Sequence, residues 1–366
     1  MSRFQGETSY IHGSPECTGI LLVNLGTPDK PTRSAVRRYL AEFLSDKRVV
    51  EIPRLIWLPI LYAFILTRRP AKSAALYQSI WQKEGSPLMI HSLQQQAALQ
   101  KEMGIRFRGK VMVELAMRYG SPSIKTGMQK LRDQGARRIL VMPLYPQYSA
   151  TTTATTYEAV FDVVKKWRWI PELRFVGQYH DEVSYIDALA RSIEDYWREK
   201  GRNEYLLMSF HGIPKRNLLQ GDPYFCQCHK TARLVAHRLN LKDNEWKISF
   251  QSRFGKAEWL QPYTDKTLQS LPAKGIKKVD VVCPGFPADC LETLEEMSVE
   301  NRDNFINAGG ERYRYIPALN DNKMHIHALA DVIQKHSQGW AETSPNFQTP
   351  KAGLIQKRAK KQGAKQ

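Results

Sequence analysis

His211 is the first residue whose type and place suggest chemistry. It stands in Ser209-Phe210-His211-Gly212-Ile213-Pro214, directly behind an apolar run that reads as a buried strand. A neutral imidazole can accept a proton or hold a metal ion near pH 7, and Gly212 lets the chain turn sharply behind it. A lone histidine is also a common structural residue. The second candidate is Pro287-Ala288-Asp289-Cys290-Leu291-Glu292-Thr293-Leu294-Glu295-Glu296, which reads as the opening of a helix. Asp289 with Glu292 has the spacing of a capping box, with Asp in place of Ser or Thr. Asp289, Glu292 and Glu296 also follow i, i+3, i+7 and would share one face of an α-helix. Carboxylates packed so closely repel, so one keeps its proton to higher pH. Such a line could pass protons near neutrality or a divalent cation.

Other groups carry less. Cys226-Gln227-Cys228-His229 looks like a metal fragment but has no second ligand pair at zinc spacing. Its two cysteines are expected to be free and dispensable thiols. No Walker loop and no G-x-G-x-x-G behind a strand occurs, which leaves nucleotide binding without support. Tyr119, Tyr145, Tyr148, Phe254 and Trp259 gather behind expected strands, and with Tyr77 they could line a slot for a large flat apolar ligand. Scattered core aromatics would look the same.

The elements that must position these residues alternate. Strands are expected at 19–25, 111–117, 138–144, 173–178, 205–210, 246–251, 278–282 and 312–316. Helices are expected near 32–45, 88–103, 122–134, 153–167, 182–199, 226–239, 263–271, 289–307 and 323–336. That alternation implies α/β layers with parallel sheets. The halves also repeat. The segment from Leu21 to Pro28 aligns without a gap on Leu207 to Pro214. Met117-Arg118-Tyr119-Gly120 matches Ser252-Arg253-Phe254-Gly255, and Leu131-x3-Gly135-x-Arg137-Arg138-Ile139 matches Leu271-x3-Gly275-x-Lys277-Lys278-Val279. Three matches in the same order argue for duplicated domains at 17–175 and 176–340. Each match lies where a strand gives way to a loop, the place where open α/β sheets bind ligands.

One insertion, at about 50–90, breaks the symmetry. Its segment 55–67 has no charge, contains Trp57, Pro59 and Tyr62, and is bracketed by Arg54 and by Arg68 and Arg69. It is too short to span a bilayer. It suits either a buried helix or an apolar lip that touches a greasy ligand or a membrane.

Composition sets the outer bounds. The 366 residues are 42% hydrophobic and 25% charged, ordinary for a globular protein, and the net charge is +18. That excess suggests an anionic partner, but no nucleic-acid-binding module is recognisable, so none is expected. Part of the excess lies in the stretch 341–366, which is expected to be a basic tail without structure. Residues 1–16 lack the basic start and apolar core of a secretory signal. With five cysteines, an odd number, this points to a reducing compartment.

Six segments together resemble the ferrochelatase family. They are Leu22-Val23-Asn24-Leu25-Gly26-Thr27-Pro28, Met117-Arg118-Tyr119-Gly120, Tyr145-Pro146-Gln147-Tyr148-Ser149, Ser209-Phe210-His211-Gly212-Ile213-Pro214, Gln251-Ser252-Arg253-Phe254-Gly255 and Cys283-Pro284-Gly285-Phe286 running on to Glu296. The resemblance covers about 18–335. It implies an α/β fold of two similar Rossmann-like, chelatase-type domains whose parallel sheets face a central cleft. It implies insertion of ferrous iron into protoporphyrin IX, the last step of haem synthesis. A ferrochelatase acting on coproporphyrin and a non-catalytic porphyrin- or haem-binding protein are the alternatives.

By the same resemblance His211 and Glu292 would meet the metal, Glu296 and Asp289 would extend the carboxylate line, and Asn24, Leu25, Tyr77, Arg118, Tyr119, Tyr145 and Trp259 would wall the porphyrin. Arg69 would meet its propionates. Cys290 stands where some relatives have a histidine. Ala150 replaces the cysteine that, with C-terminal cysteines, holds an iron–sulfur cluster in animal relatives, and no cysteine follows Ala341. Iron is thus expected as substrate, with no resident cofactor and no cluster of that type. The expected location is the cytoplasm, with the lip at the inner face of the membrane.

Overall fold

The computed structural model describes residues 3–7, 10–255, 257–348 and 352–364. Among the described residues, eight strands form two parallel four-stranded sheets. The first contains β1 (Cys17–Gly26), β2 (Val111–Tyr119), β3 (Ala136–Pro143) and β4 (Glu172–Phe175), in the order β2-β1-β3-β4. The second contains β5 (Tyr205–His211), β6 (Trp246–Gln251), β7 (Lys278–Val282) and β8 (Arg312–Tyr315), in the order β6-β5-β7-β8. The two orders are identical, as the internal repeat requires. Gly26 pairs with Tyr119 in one half, and His211 with Gln251 in the other. Met117 bridges Ser123 just as Phe250 bridges Tyr263.

Helices cover both faces of each sheet. β1 is buried along almost its whole length, which is why it reads as an unbroken apolar run rather than an alternating one. The helix Pro87–Arg106 starts where Ser86 Oγ accepts from Met89 N at 3.3 Å. One large core joins the halves. Ile20, Leu22 and Met142 from the first sheet, Leu99 and Met103 from Pro87–Arg106, Tyr185 and Leu189 from Val183–Lys200, and Met208 and Phe250 from the second sheet all belong to it. The strand ends therefore cannot drift apart without opening that core.

The insertion consists of the helices Arg54–Ile60 and Leu66–Ile80 joined by a π-helical turn, Leu61–Ile65. It is neither a buried helix nor a wholly exposed one. Trp57, Leu61 and Leu66 pack with Tyr39, Tyr77 and Tyr119 in a small separate core. The other face is bare: Leu55 is 93% exposed, and Ile56, Tyr62 and Phe64 are about half exposed or more. Among the described residues, no helix is long and apolar enough to cross a membrane.

The C-terminal stretch departs from the expected structureless tail. Ala341–Thr343 is a 3-10 turn in which Glu342 is buried. Its carboxylate meets Arg138 at 2.6 Å, and its carbonyl accepts from Arg108 N and Gly109 N. A Cβ on Gly109 would come within 2.6 Å of the Glu342 side chain, so the glycine permits this docking. Further on, Ala352–Lys361 is helical, with mostly exposed side chains. Residues 349–351, 365 and 366 of the expected tail lie outside the described residues.

Candidate active site

His211 closes β5 and faces the end of β6. The turn behind it is tight. Gly212 N donates to Gln251 O at 2.7 Å, and a Cβ there would lie 2.8 Å from that oxygen and 3.3 Å from the Trp259 ring. Only glycine fits. His211 Nδ1 lies 2.6 Å from Gly212 O. A carbonyl can only accept, so Nδ1 donates there, and in the neutral tautomer the lone pair falls on Nε2. The imidazole is half-buried, with the Phe286 ring 6.3 Å away, centroid to centroid.

The carboxylates differ from the expected single line. The helix carrying them, Glu292–Glu300, is π-helical, a form with i→i+5 bonds that is rare outside functional sites. Four residues make almost one turn of it, so Glu292 and Glu296 remain neighbours. Asp289 precedes the helix and is turned elsewhere. Its oxygens accept from Tyr315 OH at 2.8 Å, Asn320 Nδ2 at 2.8 Å, Thr293 Oγ1 at 2.9 Å and Ala318 N at 3.4 Å. Asp289 is thus a buried anchor, and the i, i+3, i+7 face fails because the chain is not α-helical there. The capping pattern fails as well. Thr293 Oγ1, not Glu292, accepts from Cys290 N, at 3.0 Å, which leaves the Glu292 carboxylate uncommitted to capping.

Glu296 is gripped by the end of β6. Ser252 N donates to Oε1 at 2.8 Å, Ser252 Oγ donates to Oε2, and Gln251 Nε2 lies 3.4 Å from Oε2. Ser252 adopts a positive φ of 64°, which aims its amide and its hydroxyl at one carboxylate. Burial pushes the Glu296 carboxyl up to about 7; the Ser252 bonds oppose that rise and the Glu292 charge adds to it.

The Glu292 charge reaches Tyr39, Tyr77, Arg69 and Cys290. Burial pushes the Cys290 thiol well up, and its hydrogen bond to Glu292 adds to this, so the thiol stays protonated. Tyr39, Tyr77 and Tyr145 are likewise held neutral by burial. Tyr39 is within electrostatic reach of Tyr77, Tyr119 and Tyr145 and so joins the two ends of the wall. Leu25 and Leu291 pack on the same apolar cluster. The Tyr145 hydroxyl is buried without a hydrogen-bond partner among the described residues. Arg69 reaches from the insertion to the β6 loop, its guanidinium 4.8 Å from the Phe254 ring centroid, while Trp259 Nε1 donates to Phe254 O at 2.7 Å. Asn24 is tied down instead: its Nδ2 donates to Ser92 Oγ at 3.0 Å and its Oδ1 accepts from Leu25 N at 2.8 Å.

Sequence reasoning missed Asp46, Thr155, Gln251 and Tyr39. Asp46 accepts from Arg118 and from Tyr119 OH, and Arg118 Nε also donates to Thr155 Oγ1 at 2.7 Å. Burial alone would raise Asp46, but the bonds from Thr155 and Arg48 N, the Arg118 charge and the Tyr119 bond hold it below its ordinary value. Gln251 did lie inside a repeated motif, whereas nothing in the sequence singled out Asp46. Among the described residues no three His, Cys, Asp or Glu side chains gather in a group that could hold a metal ion. Cys226 is exposed and Cys228 is fully buried, on opposite sides of the helix Tyr224–Arg238.

Two parallel sheets of one strand order, with titratable groups at their carboxyl ends, make a duplicated α/β fold. The fold is similar to that of the cobalt-bound sirohydrochlorin chelatase SirB from Bacillus subtilis subspecies spizizenii, with a TM-score of 0.52 and 12% identity over 88% of this chain and 97% of the other. SirB from Bacillus subtilis with Fe3+ gives 0.53 and 13%, over 91% and 100%. The ferrochelatase family model matches residues 17–337. The chain is 56% identical to the ferrochelatase of Thioalkalivibrio sulfidiphilus, over 94% of each chain, and 57% identical to that of Nitrosococcus oceani, over 93% of this chain and 92% of the relative. The chain belongs to the ferrochelatase family, enzymes that insert a metal into a porphyrin.

Proposed function

We propose that the enzyme inserts ferrous iron into protoporphyrin IX. What supports the reading is a histidine at the end of β5 and two neighbouring glutamates on a π-helix, tied to the same strand end through Gln251 and Ser252. Insertion replaces two pyrrole N–H protons by one Fe2+, so two protons must leave the ring. His211 Nε2 accepts one of them or meets the iron. Glu292 stands opposite, and Glu296 takes protons onward. Tyr77, Tyr119, Tyr145, Leu25 and Trp259 hold the macrocycle and favour its bent form. Arg69 meets a propionate. Asp289 supports the turn before Glu292, and Asn24 supports the wall through Leu25.

In this reading iron is substrate and no resident cluster takes part. The bare face of Leu55, Ile56, Tyr62 and Phe64 rests on the inner face of the membrane, from which a poorly soluble porphyrin enters.

Fe2+ insertion into protoporphyrin and coproporphyrin, measured side by side, tests the substrate. A faster rate with coproporphyrin overturns the protoporphyrin assignment. His211→Ala should still bind porphyrin but lose about 10²–10⁴ in rate; a loss below tenfold refutes its role.

A further inference from the structure

We propose that Gln251 is the positioning residue that holds His211 and the two glutamates in one frame. The proposal rests on the reading of the site given above. Gln251 is the last residue of β6 and pairs in register with His211. It is 3% exposed, and both polar atoms of its side chain have partners. Its backbone carbonyl accepts from Gly212 N at 2.7 Å and so fixes the turn that carries the imidazole. Its side-chain Oε1 accepts from Ser209 Oγ at 2.8 Å and from the Cys283 thiol at 3.5 Å. Ser209 Oγ is itself 2.9 Å from Thr264 Oγ1. These contacts set the amide so that only its NH2 can face the π-helix. There, Nε2 donates to Glu292 O at 3.0 Å and lies 3.4 Å from Glu296 Oε2.

One residue thus touches the histidine turn, the backbone of one glutamate and the side chain of the other. It does so from an almost wholly buried position. A buried amide whose donors and acceptors are all used resists rotation, since each lost bond leaves a desolvated group behind. Reacting groups shifted by about 1 Å cost roughly 10²-fold in rate. The rate of the chemical step, and not porphyrin affinity, is therefore what Gln251 controls.

Gln251→Met keeps the length and removes the amide. Gln251→Glu keeps an acceptor for Ser209 but turns a carboxylate toward Glu296. Ser209→Ala frees the amide without emptying its space. Each is assayed as the full chain for kcat, for KM and for porphyrin binding by fluorescence quenching. Both Gln251 variants should lose at least about tenfold in kcat, with KM and binding within about twofold, and Ser209→Ala should lose about two- to fivefold. A side chain that merely fills space would lower thermal stability without that split. If kcat stays within about threefold in both Gln251 variants, or if KM rises while kcat holds, the positioning role is wrong. If Gln251→Met does not fold, Ser209→Ala decides: an unchanged kcat overturns the proposal. A wild-type protein that inserts no iron sinks the functional reading instead, a separate result from variants that work as well as the wild type.

Discussion

Glu296→Gln should gain stability relative to wild type as the pH rises. Burial raises the Glu296 carboxyl from 4.5 to about 7. The folded state therefore keeps a proton that the unfolded chain gives up more readily. Below about 4.5 both states are protonated and the group costs nothing. Between 4.5 and 7 only the unfolded chain ionises, and the folded state loses ground. Above 7 the loss is complete, at about 3 kcal/mol. Glutamine keeps an acceptor for Ser252 N and carries no titration. Urea unfolding of both proteins at pH 5, 6, 7 and 8 reads the difference, which should grow by about 2–3 kcal/mol from pH 5 to pH 8 in favour of the variant. The same proton should appear in turnover: the wild-type rate should fall as pH drops below about 7, and the variant should lose that acid limb together with most of its activity. A stability difference flat to within about 0.5 kcal/mol across that range would refute the argument, because an acid already ionised in the folded state at pH 5 has no displaced titration to remove.

Leu55→Ser, Ile56→Ser and Phe64→Ser together should leave thermal stability unchanged and reduce co-sedimentation with anionic vesicles, whereas Leu61→Ser should cost about 2–5 kcal/mol because that side chain is fully buried. A destabilised triple variant would mean that the bare face is covered in solution. Asp289→Asn should lower stability by about 1–3 kcal/mol and leave the acid limb of the rate where it is, since its four donors hold the turn and not the proton path. Cys226→Ser should be silent, but Cys228→Ser should cost about 1–2 kcal/mol, measured by thermal unfolding, because its thiol lies in the core. This replaces the expectation that both are dispensable.

Much of the fold could be read from the chain. The expected strands 246–251 and 278–282 match β6 and β7 residue for residue, since short runs rich in Val, Ile, Phe and Trp between turns read as strands. The three internal matches foretold one strand order used twice. The place of His211 at a strand end and of Glu292 and Glu296 together on the helix behind β7 was legible, because a strand followed by a turn or a helix start is a local pattern.

Pairing of the polar groups was not legible. Asp46 and Arg118 stand 72 positions apart, and the distance between two such residues depends on how helices and sheets pack, which no local pattern records. Periodicity placed Asp289 on the glutamate face, but the donors from Tyr315, Ala318 and Asn320 turned it away, and the π-helical winding reset the spacing. The apolar run at 55–67 was visible as composition. Which of its residues are core and which are bare was settled only by the neighbouring helices Arg33–Leu44 and Leu66–Ile80, which bury one side of it. The sequence by itself determined the backbone elements, their repeat and the residue types at the strand ends, because propensity and burial period act along the chain. The tertiary structure alone decided which carboxylate is an anchor and which one burial pushes up, because desolvation and hydrogen bonding are set by neighbours that are distant in sequence.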